Sequence, residues 1–395
     1  MQVTVTRPDA EHALLDITAG PAEIAINMNY LFGKCAAENG LELAANSDPE
    51  FSLRSQLGNE YVDNYLTSQL PALLAGQAIG QERLEIILDP LVLEQPDSVS
   101  RLQDYRCQAR VLLKPQFALS DYGPVTITVP ETSVSDRDID DQLLMLAESY
   151  ALPDNTTEPS AADQPSAVVG TAASTGQSDT ADRASASAAA DKVAGKIIPA
   201  ITDSWVAEHI PNASTVPELR ELLRQSLERY QQQELQEYLS YSAADQLAQR
   251  LVGEISAEII TATKNDLLEN LEHGLNREQR SLADFIAEQG GEAAFAEQVN
   301  AQVLAVLRQG FALDAYARER KLTVSDEDLT ATFRRMAPGQ EVEARQDFEQ
   351  TGKLYIMEEA ARRIKANEQL LATAHRLYLD NAGQVIDSSD PAERG

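Results

Sequence analysis

Ser214-Thr215-Val216-Pro217-Glu218-Leu219-Arg220-Glu221-Leu222-Leu223-Arg224-Gln225-Ser226-Leu227-Glu228-Arg229-Tyr230 is the stretch from which the fold can be read. Thr215 and Glu218 have the spacing of a capping box, in which each side chain serves a free amide at a helix start. Pro217 fits the first turn, where amides have no intrahelical acceptor. Leu219, Leu222, Leu223, Leu227 and Tyr230 then recur at steps of three and four, one apolar stripe on a charged rod. The same period returns downstream. Leu235, Tyr238, Leu239, Leu247 and Leu251 extend the first helix, and Ile259, Ile260, Leu267, Leu268, Leu271 and Leu275 mark another. Ser281 to Asp284 restarts a helix with Phe285 and Ile286, which Gly290-Gly291 stops. Phe295, Val299, Val303, Leu307, Phe311 and Tyr316 form a further stripe, broken at residues 321–324 and recapped by Ser325 to Asp328. A last helix is expected from about Glu341 through Leu354 and Met357 to Leu377.

Upstream, the pattern mixes strands with helices. Gln2 to Thr6 and His12 to Thr18 alternate polar and apolar residues, as do Leu84-Ile86-Leu88 and Tyr105-Cys107-Ala109-Val111. Between them lie a helix opened by Pro21-Ala22-Glu23 and a second from about Leu53 into Ala78, which Pro71 is expected to kink or split. Val125 to Val129 reads as a strand and Ser135 to Tyr150 as a helix with Asp136 and Asp138 in its first turn. The expected fold is an α+β N-terminal domain followed by a mainly α-helical multi-arm domain, with a disordered linker between. The boundaries are 1–120 for the first domain, 121–150 for a connecting strand and helix packing towards the second, 151–195 for the linker, 196–380 for the helical domain and 381–395 for a disordered tail. From Ala151 to Lys192 the chain is mostly Ala, Ser, Thr, Gly, Asp and Pro, without one aromatic, too little apolar surface to offset its chain entropy.

Composition narrows function by exclusion. The 395 residues carry 63 acidic against 32 basic side chains, a net charge of -31. Nucleic acids and anionic membranes are bound through Lys and Arg clusters, so neither is an expected partner. Such a charge favours a soluble chain, a monomer or weak homodimer. No stretch has the roughly 18 apolar residues of a membrane span, and the default location is cytoplasmic. Cys35 and Cys107 fit no metal motif and read as small buried hydrophobes. His12, His209, His273 and His375 have no ligand spacing, and Gly76 and Gly80 lack the Gly-Lys-Ser/Thr of a phosphate loop. No catalytic residue, metal or cofactor is assigned.

Several local stretches resemble the trigger factor family, bacterial ATP-independent chaperones that meet nascent chains at the ribosome. They are Met1-Gln2-Val3-Thr4-Val5, Pro21-Ala22-Glu23-Ile24, Thr202 to Val206, Thr215 to Arg220, Glu319 to Leu329 and Tyr355 to Ala360. The resemblance implies a chaperone that shelters apolar segments of unfolded or nascent polypeptides on a helical cradle. Leu267, Leu271, Phe285, Phe311, Tyr316 and Phe333 are the client-binding candidates. Two features depart from the family pattern. The family's ribosome-docking loop carries Gly-Phe-Arg-x-Gly-x-x-Pro. Here residues 41–52, with Asn46, Asp48 and Phe51, contain three acids and no Lys or Arg. Docking on ribosomal RNA needs positive charge, so the loop argues against the ribosome as a partner. The second departure is the low-complexity stretch, which stands where the family places its peptidyl-prolyl isomerase domain. Without aromatics it cannot line a proline pocket, so no enzyme activity is expected. Two alternatives remain open: an assembly protein whose helical surface binds one specific partner, and a residual isomerase.

Overall fold

The computed structural model describes residues 1–43, 48–130, 133–150 and 199–379, and the backbone alone of 152–153, 192–193, 196–197 and 385–386. Asn46 and nearly all of the expected linker and tail lie outside the described residues. In chain order, the elements used below are β1 (Gln2–Thr6), β2 (His12–Ala19), α1 (Pro21–Glu38), α2 (Pro49–Leu57), α3 (Asn59–Glu82), β3 (Leu91–Glu94), β4 (Tyr105–Leu112), α4 (Asp136–Ser149), α5 (Asp203–His209), α6 (Val216–Ala248), α7 (Ala257–Arg277), α8 (Leu282–Glu288), α9 (Glu292–Glu319), α10 (Asp326–Met336), α11 (Glu341–Gln350) and α12 (Leu354–Thr373). An α+β N-terminal region thus precedes a mostly helical C-terminal one. Two compact units emerge, residues 1–129 with 239–377 and 386–395, and residues 130–238 with 378–385.

In the first unit, an antiparallel sheet of order β1-β2-β4-β3 is covered on one face by helices. Period-two alternation decides which face. Ala13, Leu15, Ile17 and Ala19 of β2 and Tyr105, Cys107, Ala109 and Val111 of β4 are buried. They share one core with Ile24, Met28, Leu31 and Phe32 of α1 and Val62, Leu66, Leu70 and Leu74 of α3. Three expectations are corrected here. The helix runs on through Pro71 and is divided instead at Gly58, whose φ of 89° only glycine adopts readily. The Leu84-Ile86-Leu88 alternation yields only an isolated bridge, Ile86 to Leu113, and the edge strand forms at Leu91–Glu94. The last helix is two helices, because the chain turns at Thr351-Gly352-Lys353 with Gly352 at φ 71°.

Within this unit α9, α11 and α12 meet the N-terminal layer. Gly76 and Gly80 on α3 leave room for the turn at Gly352: a Cβ on Gly76 would lie 2.8 Å from the Thr351 carbonyl oxygen. Tyr30 of α1 donates to Asp347 of α11, and Lys353 Nζ lies 2.8 Å from Asp89. Lys114, just after β4, reaches Asp314 of α9 at 2.6 Å and Glu359 of α12 at 2.7 Å, while Arg363 pairs with the same two carboxylates at 2.7 Å each. Burial pushes the Asp314 carboxyl up, but Arg363 and Lys114 outweigh it and hold the carboxyl below its ordinary range. Two cations and two anions thus neutralise one another where water is scarce.

In the second unit, Val206, Ala213 and Leu219 form a small core with Leu143, Leu146, Trp205 and Leu223 partly buried around it. Ser135 and Asp138 complete a capping box at α4. At α6 the box is incomplete: Thr215 Oγ1 accepts from Glu218 N at 3.4 Å, but Glu218 Oε2 accepts from Ser214 N at 2.7 Å. Asp136 and Asp140 of α4 pair with Arg224 and Arg220 of α6. Trp205 stacks on His209 with centroids 4.8 Å apart, and Tyr150 meets the Trp205 ring edge-on at 5.2 Å. The end of α4 and the start of α5 are thereby joined across some fifty intervening residues.

Candidate functional site

Helices α7, α8 and α9 pack on one another and enclose a groove of about 490 Å³. Each helix start is set by local chemistry. Ser256 Oγ accepts from Ile259 N at 3.4 Å to cap α7, and Ser281 Oγ accepts from Asp284 N at 3.1 Å to cap α8. The α8–α9 turn is made by Gly290 and Gly291, both at φ 92°. Arg280, before α8, pairs with Glu288 at 2.6 Å and lies 5.7 Å from the Phe285 ring centroid. Lys264 of α7 donates to Asn300 of α9 at 3.0 Å and so helps hold the two long helices together.

The groove has an apolar floor and an amide rim. Leu267, Leu271, Phe285, Phe295 and Val299 supply the floor, with Phe285 and Phe295 edge-to-face at 6.0 Å. Asn270, Gln289, Gln298 and Gln302 supply the rim, and no charged side chain lines it. In a chain with this excess of acid, that local neutrality is unusual. A side-chain amide donates and accepts at once, so such a rim can satisfy the peptide groups of an extended segment of any sequence. The floor can take up aliphatic or aromatic side chains at about 25 cal/mol per Å² of apolar surface removed from water.

Of the six client-binding candidates, Leu267, Leu271 and Phe285 meet in this groove. Phe311, Tyr316 and Phe333 do not, and the expectation for them is corrected. Phe311 is buried with its ring 5.1 Å from Phe117, Tyr316 is buried beneath Arg320, and Phe333 packs on Phe348, Leu329 and Met357. Their stripes are saturated by neighbouring helices, so they belong to the core. Phe295 and Val299 sit on the same recognisable stripe of α9 but become groove residues only when α7 and α8 close over them. The amide rim carried no sequence signal, because isolated Asn and Gln on a helix read as solvated surface.

At the other candidate loop, Asp48 caps α2 by accepting from Glu50 N at 3.0 Å, and Phe51 is 74% exposed. Arg54, the nearest cation, is held by Glu50 at 2.9 Å and Asp63 at 2.8 Å. Among the described residues, no group of three or more His, Cys, Asp and Glu is placed to hold a metal, and no helix is long and apolar enough to cross a membrane.

Two family models match parts of this sequence. The family model for the bacterial trigger factor C-terminus matches residues 215–372, and the companion trigger factor model matches residues 48–146. The trigger factor of Mycobacterium avium (strain 104) is 22% identical over 393 residues, covering 87% of this chain and 83% of that protein. The trigger factor of Pelobacter propionicus is 23% identical over 203 residues, covering 51% of this chain and 44% of that protein. A solved structure described as "Promiscuous Substrate Recognition in Folding and Assembly Activities of the Trigger Factor Chaperone" aligns over 94% of this chain and 99% of its own, at 17% identity and a TM-score of 0.35. The two family models span well over half of the residues and fall on the α+β layer and on the helices that build the groove: the chain belongs to the trigger factor family of chaperones.

Proposed function

We propose that this chain is an ATP-independent holdase, and that the groove between α7, α8 and α9 seats apolar segments of unfolded or nascent polypeptides. The observation that carries this reading is an uncharged groove, apolar below and amide-rimmed above, on a chain of net charge -31. Burial of two or three side chains there stabilises a complex by a few kcal/mol, since a fully buried Leu or Phe contributes about 1.5–3 kcal/mol. Weak, sequence-tolerant binding of this kind suits a protein that must release its client without hydrolysing a nucleotide.

The ribosome and the isomerase reaction are not part of the proposal. The described residues of the α1–α2 connection offer no cation, and Arg54 is already paired with two carboxylates. The Ala/Ser/Thr-rich composition of residues 151–195 cannot line a proline pocket. Cosedimentation with ribosomes at moderate salt, or faster proline-limited refolding of a model protein, would overturn these two points.

Aggregation of a chemically denatured model enzyme, followed by light scattering, tests the main claim. The purified full chain at stoichiometric ratio should suppress it, and Leu271→Asp should remove most of the suppression. Leu271 is half-buried at the groove, so circular dichroism of the variant must match the wild type. Unchanged suppression by a folded Leu271→Asp variant would exclude the groove. Absence of suppression by the wild type would favour the assembly-protein reading instead.

A further inference from the structure

His12 joins the N-terminal layer to a helix that walls the groove. It opens β2, with its side chain only 16% exposed. Its Nε2 lies 3.0 Å from Glu258 Oε1 in the first turn of α7, and its Nδ1 lies 3.0 Å from the Asp9 carboxylate. Among the described residues, this is the one hydrogen-bonded link between α7 and residues 1–129. Asp9 is fixed in place, because its Oδ1 also accepts from Glu11 N and His12 N at 2.8 Å each. It therefore keeps the proton of a neutral His12 on Nδ1, which leaves Nε2 a bare lone pair aimed at a carboxylate. Only the imidazolium donates to both acids. β4 offers it Leu112, directly opposite, and the exposed Arg110 two residues further along, opposite Leu14. The two acids prevail: the Glu258 hydrogen bond first, then that of Asp9, raises the His12 pKa.

We propose that His12 is a proton-controlled latch, which docks the base of α7 on the N-terminal layer when protonated, releases it when neutral, and so sets the shape of the groove. The inference rests on the reading of that groove as the client site. Leu267, Asn270 and Leu271, the α7 side of the groove, lie roughly 14–20 Å beyond Glu258 along the helix. Between them and the latch, Lys264 ties α7 to Asn300 of α9 at 3.0 Å, a pivot about which a freed base tilts the groove wall. Tilting parts Leu267 and Leu271 from Phe295 and Val299, so the released groove is less well formed for a client. The docked state holds the proton more tightly than the released one. Docking is therefore complete below the released-state pKa and is lost as pH rises through the higher docked value. By the same linkage, a bound client favours the protonated latch.

Spin labels at Thr4→Cys, on the exposed face of β1, and at Glu272→Cys, on the exposed side of α7, read the docking in the full chain, since Cys35 and Cys107 are buried. The distance distribution should be narrow at about pH 6 and should broaden or shift at about pH 9. Glu258→Gln is the deciding variant. Its amide accepts from the imidazolium and donates to the bare Nε2, so it should stay docked at both pH values. Affinity for a permanently unfolded probe, reduced and carboxymethylated ribonuclease, should fall about fivefold or more over this interval in the wild type and stay level in Glu258→Gln. A wild-type distance indifferent to pH, a Glu258→Gln variant that opens as the wild type does, or a wild-type affinity that changes no more than the variant's would each overturn the latch. A probe that never binds, while the distance follows pH, would overturn the groove reading and support the latch.

Discussion

Gly80 of α3 and Gly352, in the turn between α11 and α12, touch backbone to backbone: a Cβ on Gly80 would lie 2.5 Å from the Gly352 carbonyl oxygen. Atoms do not approach that closely, so any side chain at position 80 must push the turn away from α3. Gly80→Ala should therefore destabilise the fold by about 1–3 kcal/mol, the usual cost of overpacking. Gly33→Ala is the control. Gly33 lies inside α1 with nothing within 4 Å of an added Cβ, so that substitution should stabilise by about 0.5–1 kcal/mol. Urea midpoints of the two variants check the contrast in sign.

The cluster of Lys114, Asp314, Glu359 and Arg363 predicts a large loss when one partner is removed. In Lys114→Met, two mostly buried carboxylates are left with Arg363 alone, at a cost of about 3–5 kcal/mol. Arg220→Ala, which breaks an exposed pair with Asp140, should cost less than about 1 kcal/mol. Asp314 adds a pH signature. Its carboxyl is held below the ordinary range, so its contribution is present above the unfolded-state pKa and is lost as pH falls through the lower folded value. The stability gap between wild type and Asp314→Asn should accordingly shrink on acidification.

His12 gives the opposite sign. Its Nε2 lies 3.0 Å from Glu258 at the start of α7, and its Nδ1 lies 3.0 Å from Asp9. Only the imidazolium has an N–H for each carboxylate. The Glu258 hydrogen bond first, then that of Asp9, raises the His12 pKa above its ordinary value. A raised pKa contributes stability that is complete below the unfolded-state value and disappears as pH rises through the folded one. Wild type should exceed His12→Gln most at about pH 6, where imidazolium prevails in both states, and least near pH 9. A gap independent of pH would show that His12 acts by packing alone.

Cys35 and Cys107 are both buried. Burial raises both thiols, Cys107 to about 11, so neither supplies the reactive thiolate at neutral pH. A chromogenic disulfide reagent should find no fast-reacting thiol in the native chain and two in guanidinium.

Local signals in the sequence were sound wherever neighbours along the chain settle the outcome. Ser325 to Asp328 forms the capping box that its spacing announces, and the alternation at Tyr105 to Val111 becomes a strand with one buried face. They were unsound where a distant segment intervenes. Pro71 predicts a kink or split, but α3 is held on both sides of it by the core, and Leu70 and Leu74 are fully buried. The stripe from Glu341 to Leu377 hid a turn at Gly352, because apolar spacing continues across it.

The sequence by itself determined most of the elements, several of their caps, the α+β start and the helical second half, since these rest on interactions within a few residues. Periodicity marks a helix face without saying what that face meets. Leu271 and Phe311 both sit on apolar stripes, yet one lines an uncharged groove and the other is sealed against Phe117. The placing of Lys114 beside Asp314, and of Gly80 beneath Gly352, likewise joins residues two hundred or more positions apart. Only the packed chain could decide these, because burial is a property of the surfaces that meet and not of the segment that carries them.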